Sequence, residues 1–279
     1  MATADSGTGR DWAVAGGPTV LALALGVFPL AVLFVESIGP GLGTENYARA
    51  VSPLYRGALS YSIGVGVAVT VVCLAIAYPV TFWLAHRCPA RYRLAGLVAL
   101  TLPLWLNYVV LNYAWVWILA RGGIVNRLLV GTGLLAEPLD LLYTQVSTGI
   151  GFVYIYLPYV ILTMYVSMER LDYRLLEAAR DLGATNWRVF RDIVVPQTLP
   201  GAAAATLVVY ARIAGAYATP EILGSPGNVM IARLVVDAFQ GYANYGFAAA
   251  LSFVFLCLVL AGFVVGAAFP RVRRELRGW

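Results

Sequence analysis

The charged side chains between Glu169 and Gly201 are the residues of this sequence best placed to act on a partner molecule. Carboxylates and guanidinium groups alternate with small residues here, inside a chain that is otherwise 61% hydrophobic. Such groups form charge-assisted hydrogen bonds across an interface, and small side chains allow close approach. We therefore predict a docking surface outside the lipid. Its residues are Glu177, Ala178, Ala179, Leu182, Gly183 and Ala184.

Covalent chemistry has little support in the sequence. The chain contains no lysine, so it lacks both the Walker A lysine that reaches nucleotide phosphates and a lysine amine for a Schiff base. His86 lies beside Arg87 without an acidic or hydroxyl partner at motif spacing, which favours a structural role over catalysis, including intramembrane proteolysis. We predict no catalytic residue, no cofactor and no metal site. Packing roles are predicted for Cys73, Cys88 and Cys257.

Arg212 is the most costly residue to bury in an apolar segment. It interrupts the run 201–219 close to its middle, where an arginine on a membrane-spanning helix costs at least roughly 2.5–3.5 kcal/mol. Its side chain must therefore face protein or water. One hypothesis places it on a solute pathway, where it disfavours cations, with Tyr217 and Glu221 as further pathway candidates. The alternative is a contact at a subunit interface.

The elements that must position these residues are membrane helices. Only 12% of the residues are charged, about half the usual share in a soluble domain. A bilayer core of about 30 Å requires about 20 apolar helical residues. Six stretches qualify: 18–38, 61–85, 94–120, 146–168, 201–219 and 247–269. The chain is thus predicted as an all-α membrane protein with a tail at 1–17, a six-helix domain at 18–269 containing a charged loop at 169–200, and a tail at 270–279.

The distribution of arginines orients this domain. Twelve arginines fall in the second loop, the fourth loop and the C-terminal tail, whereas the first, third and fifth loops hold five. Because basic residues accumulate on the cytoplasmic side, both termini and the segment 169–200 are predicted to be cytoplasmic. The apolar run from Pro18 is long enough to span and no small-residue cleavage site follows it, so we predict a retained first helix.

The segment 169–200 is predicted to form two short amphipathic helices that do not span. Asp172 can cap the first, Gly183 suits the left-handed residue that ends it, and Thr185 can cap the second. Pro196 and Pro200 should then return the chain to the membrane. The predicted apolar faces are Leu175, Leu176, Ala179 and Leu182, then Trp187, Phe190, Ile193 and Val194. An interfacial helix among lipid headgroups is the alternative, but the acids of the two helices and their cap favour a soluble partner: Asp172, Glu177, Asp181 and Asp192.

These residues carry a resemblance to a known family. Glu177-Ala178-Ala179, three residues, Gly183, nine residues, then Ile193-Val194-Val195-Pro196 resembles the EAA loop of permease subunits in binding-protein-dependent ABC importers. Val195 stands where that pattern usually has leucine. In that family the loop forms a coupling helix that sits in a groove of the cytoplasmic ATPase. The resemblance implies the type I importer permease fold and transport by alternating access.

Further motifs extend the resemblance from about Tyr47 to Arg274, towards the spermidine and putrescine branch of these permeases. Ser225 stands where a second glycine is usual, and Leu111 where the branch often has arginine. The motifs are Tyr113-Ala114-Trp115, Gly123-Ile124-Val125-Asn126, Leu157-Pro158, Thr219-Pro220-Glu221-Ile222-Leu223-Gly224 and Met230-Ile231. The resemblance implies a multi-pass inner-membrane protein with two ATP-binding subunits, a second homologous or identical permease and an extracytoplasmic solute-binding protein as partners. Nucleic acid is not an expected partner.

The sequence thus predicts half of a translocation pathway for a small solute of polyamine type, coupled to an ATPase through residues 177–196. The first alternative is an importer permease for an anionic or zwitterionic solute, because of Arg212. A secondary transporter would need inverted repeats and intramembrane acids, and no repeat is apparent. A non-transporting scaffold would keep the amphipathic loop without needing Arg212.

Overall fold

The computed structural model of the chain describes residues 8–39, 44–241 and 243–268, and these contain helices and connecting turns but no strand. Residues 1–7 and the predicted tail 270–279 lie outside the described residues, whereas 8–17 belong to the first helix. The helices are α1 (Thr8–Ile38), α2 (Glu45–Ala50), α3 (Pro53–Phe82), α4 (Ala90–Thr101), α5 (Tyr108–Leu119), α6 (Ile124–Gly131), α7 (Gln145–Glu169), α8 (Tyr173–Asp181), α9 (Asn186–Val189), α10 (Val195–Ala214), α11 (Ala218–Leu223), α12 (Ile231–Val236) and α13 (Tyr245–Ala268).

Helices long and apolar enough to cross a membrane number five within the described residues. They cover Pro53–Arg87, Tyr108–Gly131, Gln145–Glu169, Asn186–Ala214 and Tyr245–Gly262. The predicted span 18–38 falls on α1, whose shorter apolar part is Leu23–Ile38. The all-α membrane architecture is confirmed, and the count of six spans stays a prediction.

The predicted third span, 94–120, is wrong as one continuous helix. A 3₁₀ turn, Leu102–Trp105, follows α4, and α5 begins only at Tyr108. The side chain of Asn107 accepts a hydrogen bond of 2.8 Å from the Val109 N–H and so caps α5. A proline in the 3₁₀ turn and a capping asparagine together end one helix and start another. Apolar composition did not reveal this break.

The predicted fifth span, 201–219, is displaced in the structure. The helix runs without a break from Asn186 to Ala214 through a π-helical turn at Phe190–Val194. Within this continuous helix Pro196 directly follows the π-helical turn and, having no N–H, cannot donate a hydrogen bond to the preceding turn. The second short helix predicted in the loop is therefore the beginning of a 29-residue helix that is long and apolar enough to span, and the prediction of a separate, non-spanning helix here is wrong.

The described chain forms two compact units. One contains described residues up to 55 and 234–257, and the other contains 56–233 and 258–268. In the first unit, the hydroxyls of Ser37 and Tyr47 lie 2.6 Å apart and the Arg49 guanidinium lies 4.5 Å from the centre of the Phe247 ring. These contacts join α1, α2 and α13 within that unit.

The second unit holds the main core, which is built on the packing of α7 against α10. Phe152, Met164 and Met168 of α7 and Val209 of α10 are fully buried. A β-carbon on Gly201 would lie 2.7 Å from Ser167 Cβ and would also overlap Ser167 Oγ. The two helices therefore approach closely only because residue 201 has no side chain.

Candidate coupling surface and translocation pathway

Helix α8 is held at its N-terminus by its own capping residue. Asp172 accepts a hydrogen bond of 3.0 Å from the Arg174 N–H, which satisfies a backbone donor that the first helical turn leaves free. Leu176 is completely buried and anchors the helix in the core of the second unit. The predicted start of this helix is confirmed.

The turn after α8 is a Schellman motif centred on Gly183. The Ala184 N–H donates to the Ala179 carbonyl at 3.0 Å, and the Gly183 N–H donates to the Arg180 carbonyl at 2.8 Å. Gly183 has φ of +84°, a conformation that costs other residues roughly 1–2 kcal/mol. The left-handed residue predicted from the sequence is therefore present. Apart from its two chain neighbours, no described residue has an atom within 4 Å of where its β-carbon would stand, so the turn needs glycine for its backbone, while the space beside it is open.

The six predicted docking residues lie together on α8 and its terminal turn. Glu177, Ala178, Leu182 and Gly183 are exposed, whereas Ala179 and Ala184 are half-buried against the core. Leu182 is 89% exposed, which is unusual for a leucine. A loop that only faced water would not need an apolar side chain at this position. Of the predicted apolar face, Leu176 is buried and Ala179 is half-buried, whereas Leu175 and Leu182 are 48% and 89% exposed.

The second predicted cap is also present. Thr185 Oγ1 accepts a hydrogen bond of 3.3 Å from the Arg188 N–H and starts α9. In the π-helical turn that follows, the Val195 N–H donates to the Phe190 carbonyl. Because hydrogen bonding continues into α10, the docking turn at Gly183 is separated from a long membrane helix by only two residues, Ala184 and Thr185.

His86 links three elements near the docking surface. It lies in a π-helical turn, Trp83–Arg87, that extends α3. Its ring centre is 5.1 Å from that of Phe82 and 4.9 Å from that of Tyr173, the first residue of α8. The backbone of Met168 in α7 also lies close to the ring. The predicted structural role fits this position, but Tyr173, the partner on the docking helix, was not identified from the sequence.

Arg212 lies in the last turn of α10, so the prediction that it sits in the middle of a span is wrong. The difference follows from the helix, which begins earlier and ends earlier than predicted. The Arg212 guanidinium carbon lies 5.3 Å from the centre of the Tyr159 ring in α7, within the range of a cation–π interaction. The side chain is exposed, and among the described residues no carboxylate forms an ion pair with it.

The other two predicted pathway residues flank the short helix α11. Tyr217 precedes the helix and is 39% exposed, and Glu221 in its first turn forms an ion pair with Arg233. Arg233 therefore compensates the charge of Glu221. Arg212 and Glu221 thus have separate partners, Tyr159 and Arg233.

Side chains distant in sequence hold α11 in place. Asn112 Nδ2 in α5 donates to Thr219 Oγ1 at 3.1 Å, and Ser147 Oγ in α7 donates to the Leu223 carbonyl at 2.7 Å. Asn112 and Ser147 are both completely buried. Sequence reasoning missed these residues and Tyr159, since a polar residue within an apolar run was the only available signal.

In the described part of the chain, no three side chains of the metal-binding types cluster together. Cys73 and Cys88 are buried, and Cys257 is exposed.

Superposition on solved structures shows that the chain has the fold of a type I ABC importer permease. A chain of the crystal structure of a bacterial alginate ABC transporter in complex with an alginate pentasaccharide-bound periplasmic protein superposes with a TM-score of 0.77 at 16% identity, covering 94% of this chain and 96% of that chain. A chain of the MetNI methionine ABC transporter in an inward-facing conformation superposes with a TM-score of 0.52 at 18% identity, covering 78% and 94%.

The chain belongs to the family of binding-protein-dependent transport system inner membrane components, whose model matches residues 77–274. It is 35% identical over 228 residues to the spermidine/putrescine transport system permease protein PotB of Haemophilus influenzae, covering 80% of this chain and 79% of the relative. It is 34% identical over 208 residues to PotB of Escherichia coli, covering 75% of each. The protein is therefore a permease subunit of an ABC importer and a multi-pass protein of the inner membrane.

Proposed function

We propose that this chain forms half of the translocation pathway of an ABC importer for a small polyamine-type solute. The movement of the ATPase subunits would be transmitted to it through α8. One observation carries the coupling role: α8 and its Schellman turn display Glu177, Ala178, Leu182 and Gly183 outwards while Leu176 is rooted in the core. An exposed leucine beside small residues suits insertion of a short helix into a partner's groove.

The partners follow from the family and from this surface. Two ATP-binding subunits would each meet one coupling segment within 169–200, a second homologous or identical permease would complete the pathway, and a solute-binding protein would deliver cargo on the other side. The six-helix domain 18–269 would place both termini in the cytoplasm, where the arginine-rich loops and tail also lie.

The structure supports a mechanical route for coupling. Closure of the ATPase dimer would displace α8. Because only two residues separate the terminal turn of α8 from the helix Asn186–Ala214, that helix would be displaced as well. Since α10 packs closely on α7 at Gly201, the two helices should move together. Rigid-body rocking of this kind gives alternating access without covalent chemistry in this chain.

The solute assignment rests on the relatives named as spermidine/putrescine permeases. Arg212 supports a second candidate, an anionic or zwitterionic solute, because a guanidinium without an ion-pair partner among the described residues attracts a carboxylate. Uptake by vesicles that contain the assembled complex separates these candidates. It also separates an importer, which needs ATP and the binding protein, from a secondary transporter driven by an ion gradient and from a scaffold that gives no uptake.

The docking role is tested by Leu182→Asp. A charge on this exposed side chain should leave the fold intact and weaken ATPase binding at least about tenfold, since an unpaired charge would be buried in the interface. Leu134→Asp is the matched control, because Leu134 is 72% exposed in the turn before α7, at the opposite end of that 25-residue helix. Co-purification of the ATPase subunit measures the effect. Undiminished binding by Leu182→Asp would overturn the assignment.

A further inference from the structure

One face of α7 carries a ladder of aromatic rings that ends at Arg212. Phe152, Tyr156 and Tyr159 are spaced four and three residues apart, so they share a helix face. The ring centres of Phe152 and Tyr156 are 6.1 Å apart, and those of Tyr156 and Tyr159 are 6.2 Å apart. Phe152 is completely buried, whereas both tyrosines are half-buried. The ladder therefore opens towards its Arg212 end.

The exposed end of this ladder already holds a cation. The Arg212 guanidinium lies 5.3 Å from the centre of the Tyr159 ring, and it is near enough to act electrostatically on Tyr156 as well. Arg212 is exposed and makes no ion pair among the described residues. Its long stem allows the charged head to move into water without disturbing the helix. The guanidinium of Arg212 can therefore move away from the Tyr159 ring while α10 stays in place.

We propose that the ring faces of Tyr156 and Tyr159 form an ammonium-binding subsite of the pathway, and that Arg212 occupies it as an exchangeable cation when no solute is present. Ring faces attract any cation placed over them, with about 0.5–1 kcal/mol at exposed sites and about 2 kcal/mol or more when desolvated. A solute ammonium group would take the place of the guanidinium, which would swing into the aqueous pathway. The inference rests on the proposed polyamine-type solute and names how this chain would recognise it.

Exchange of one cation for another explains how the site could serve a cationic solute without a carboxylate. The rings face about one positive elementary charge throughout, because an ammonium group of the solute arrives as the guanidinium leaves. An arginine fixed in the pathway would instead repel each ammonium group. Both arrangements predict faster uptake when the Arg212 charge is removed, but only the subsite predicts slower uptake when the Tyr159 ring face is lost, and this difference makes the proposal testable.

The experiment uses the complete complex, this chain with its second permease, ATPase and binding protein, reconstituted in vesicles. The probes are putrescine, which carries an ammonium group at each end, and γ-aminobutyrate, in which a carboxylate replaces one of them. Arg212→Gln should raise the initial rate of putrescine uptake at subsaturating concentration by about threefold, since a resident competitor is removed. Tyr159→Leu should lower it about three- to thirtyfold, the range that corresponds to the loss of one cation–π contact.

Tyr159→Phe keeps the ring face and should restore most of the uptake lost in Tyr159→Leu. Tyr154→Leu is the matched control, because Tyr154 lies on the same helix, is 38% exposed and packs against Trp115 instead of a cation. ATPase co-purification with every variant shows that the complex is assembled. If Tyr159→Leu fails to assemble, Tyr156→Leu serves as the second variant, with the same direction expected.

Normal putrescine uptake by both leucine variants would overturn the subsite while leaving the polyamine importer in place. Loss of uptake in Arg212→Gln, with recovery in Arg212→Lys, would show that the positive charge is required and would also overturn it. A wild-type complex that took up γ-aminobutyrate but not putrescine would overturn the polyamine assignment together with the subsite.

Discussion

The end of α8 and the segment that follows α10 are stabilised in different ways. At the end of α8, backbone hydrogen bonds between residues 179 and 184 close the turn, and the space beside the Cα of Gly183 is open. After α10, the short helix α11 is held by side chains of Asn112 in α5 and Ser147 in α7. The first region is defined by local geometry, and the second by contacts between helices distant in sequence.

This difference suits different tasks. A turn closed by its own backbone keeps its shape when the helices around it move, so it can transmit a displacement to a partner's surface as a unit. A segment clamped between α5 and α7 must adjust whenever those helices shift, since its hydrogen bonds join both. A pathway that opens and closes needs the second behaviour. We therefore expect changes in backbone shape to impair coupling and changes in side chains to alter the pathway.

The largest effect is expected from Gly201→Ala, which changes the helix pair that both regions share. The added β-carbon would lie 2.7 Å from Ser167 Cβ and overlap Ser167 Oγ, and overpacking of this kind costs about 1–3 kcal/mol. The melting temperature of the purified complex and its yield should both fall. Gly149→Ala in α7 is the control, since nothing lies within 4 Å of its β-carbon position.

The double variant Gly201→Ala/Ser167→Gly should recover much of this loss, because it removes the atoms that clash. Equal stability of Gly201→Ala and Gly149→Ala would contradict the close approach of α7 and α10.

Next in size is the effect of Gly183→Val on the coupling turn. A β-branched residue at φ of +84° is strained by roughly 1–2 kcal/mol or more, so the Schellman turn should open and ATPase-dependent uptake should fall about tenfold. Gly183→Asn tolerates the left-handed conformation and should retain most of the uptake. If the valine variant coupled as well as the asparagine variant, the backbone geometry would not be what defines the docking surface.

A smaller effect is expected at the contact between α8 and α3. His86→Ala removes the ring that stacks on Tyr173 at 4.9 Å, an interaction of about 0.5–1.5 kcal/mol beyond its buried area. Because the ring connects the docking helix to the end of α3, ATPase stimulation by loaded binding protein should fall a few-fold while ATPase binding persists. His86→Phe keeps the stacking and should restore stimulation. Unchanged stimulation in His86→Ala would show that α8 moves independently of α3.

Local rules predicted much of the coupling region. Both caps, Asp172 and Thr185, and the left-handed Gly183 were identified because each depends on residues within a few positions. Leu182 was predicted both on the apolar face and as a docking residue, and its 89% exposure fits the docking role. Periodicity alone could not decide between the two.

Contacts over long sequence separations explain what was missed in the pathway region. The break before Tyr108 divided the predicted third span, and the early end of the helix at Ala214 moved Arg212 from the middle of the predicted fifth span to a helix end. The apolar runs on either side of these ends gave no sign of them. The pairing of Glu221 with Arg233 and of Arg212 with Tyr159 depends on the tertiary fold, so residue types alone could suggest the candidates but not their partners.

The smallest effect is expected at the ion pair between Glu221 and Arg233, which sharpens the contrast between the two regions. Both side chains are substantially exposed, at 36% and 42%, and exposed pairs contribute about 0.2–1 kcal/mol. Glu221→Gln should therefore lower the melting temperature only slightly, whereas solute selectivity should shift if α11 borders the pathway. Because Arg233 has other interactions, a double-mutant cycle with Arg233→Gln isolates the pair. The control is the ion pair of Arg121 and Asp140, whose nitrogen and oxygen lie 3.3 Å apart and whose side chains are more exposed. An equal change of solute selectivity in the double-mutant cycles of the two pairs would place α11 outside the pathway.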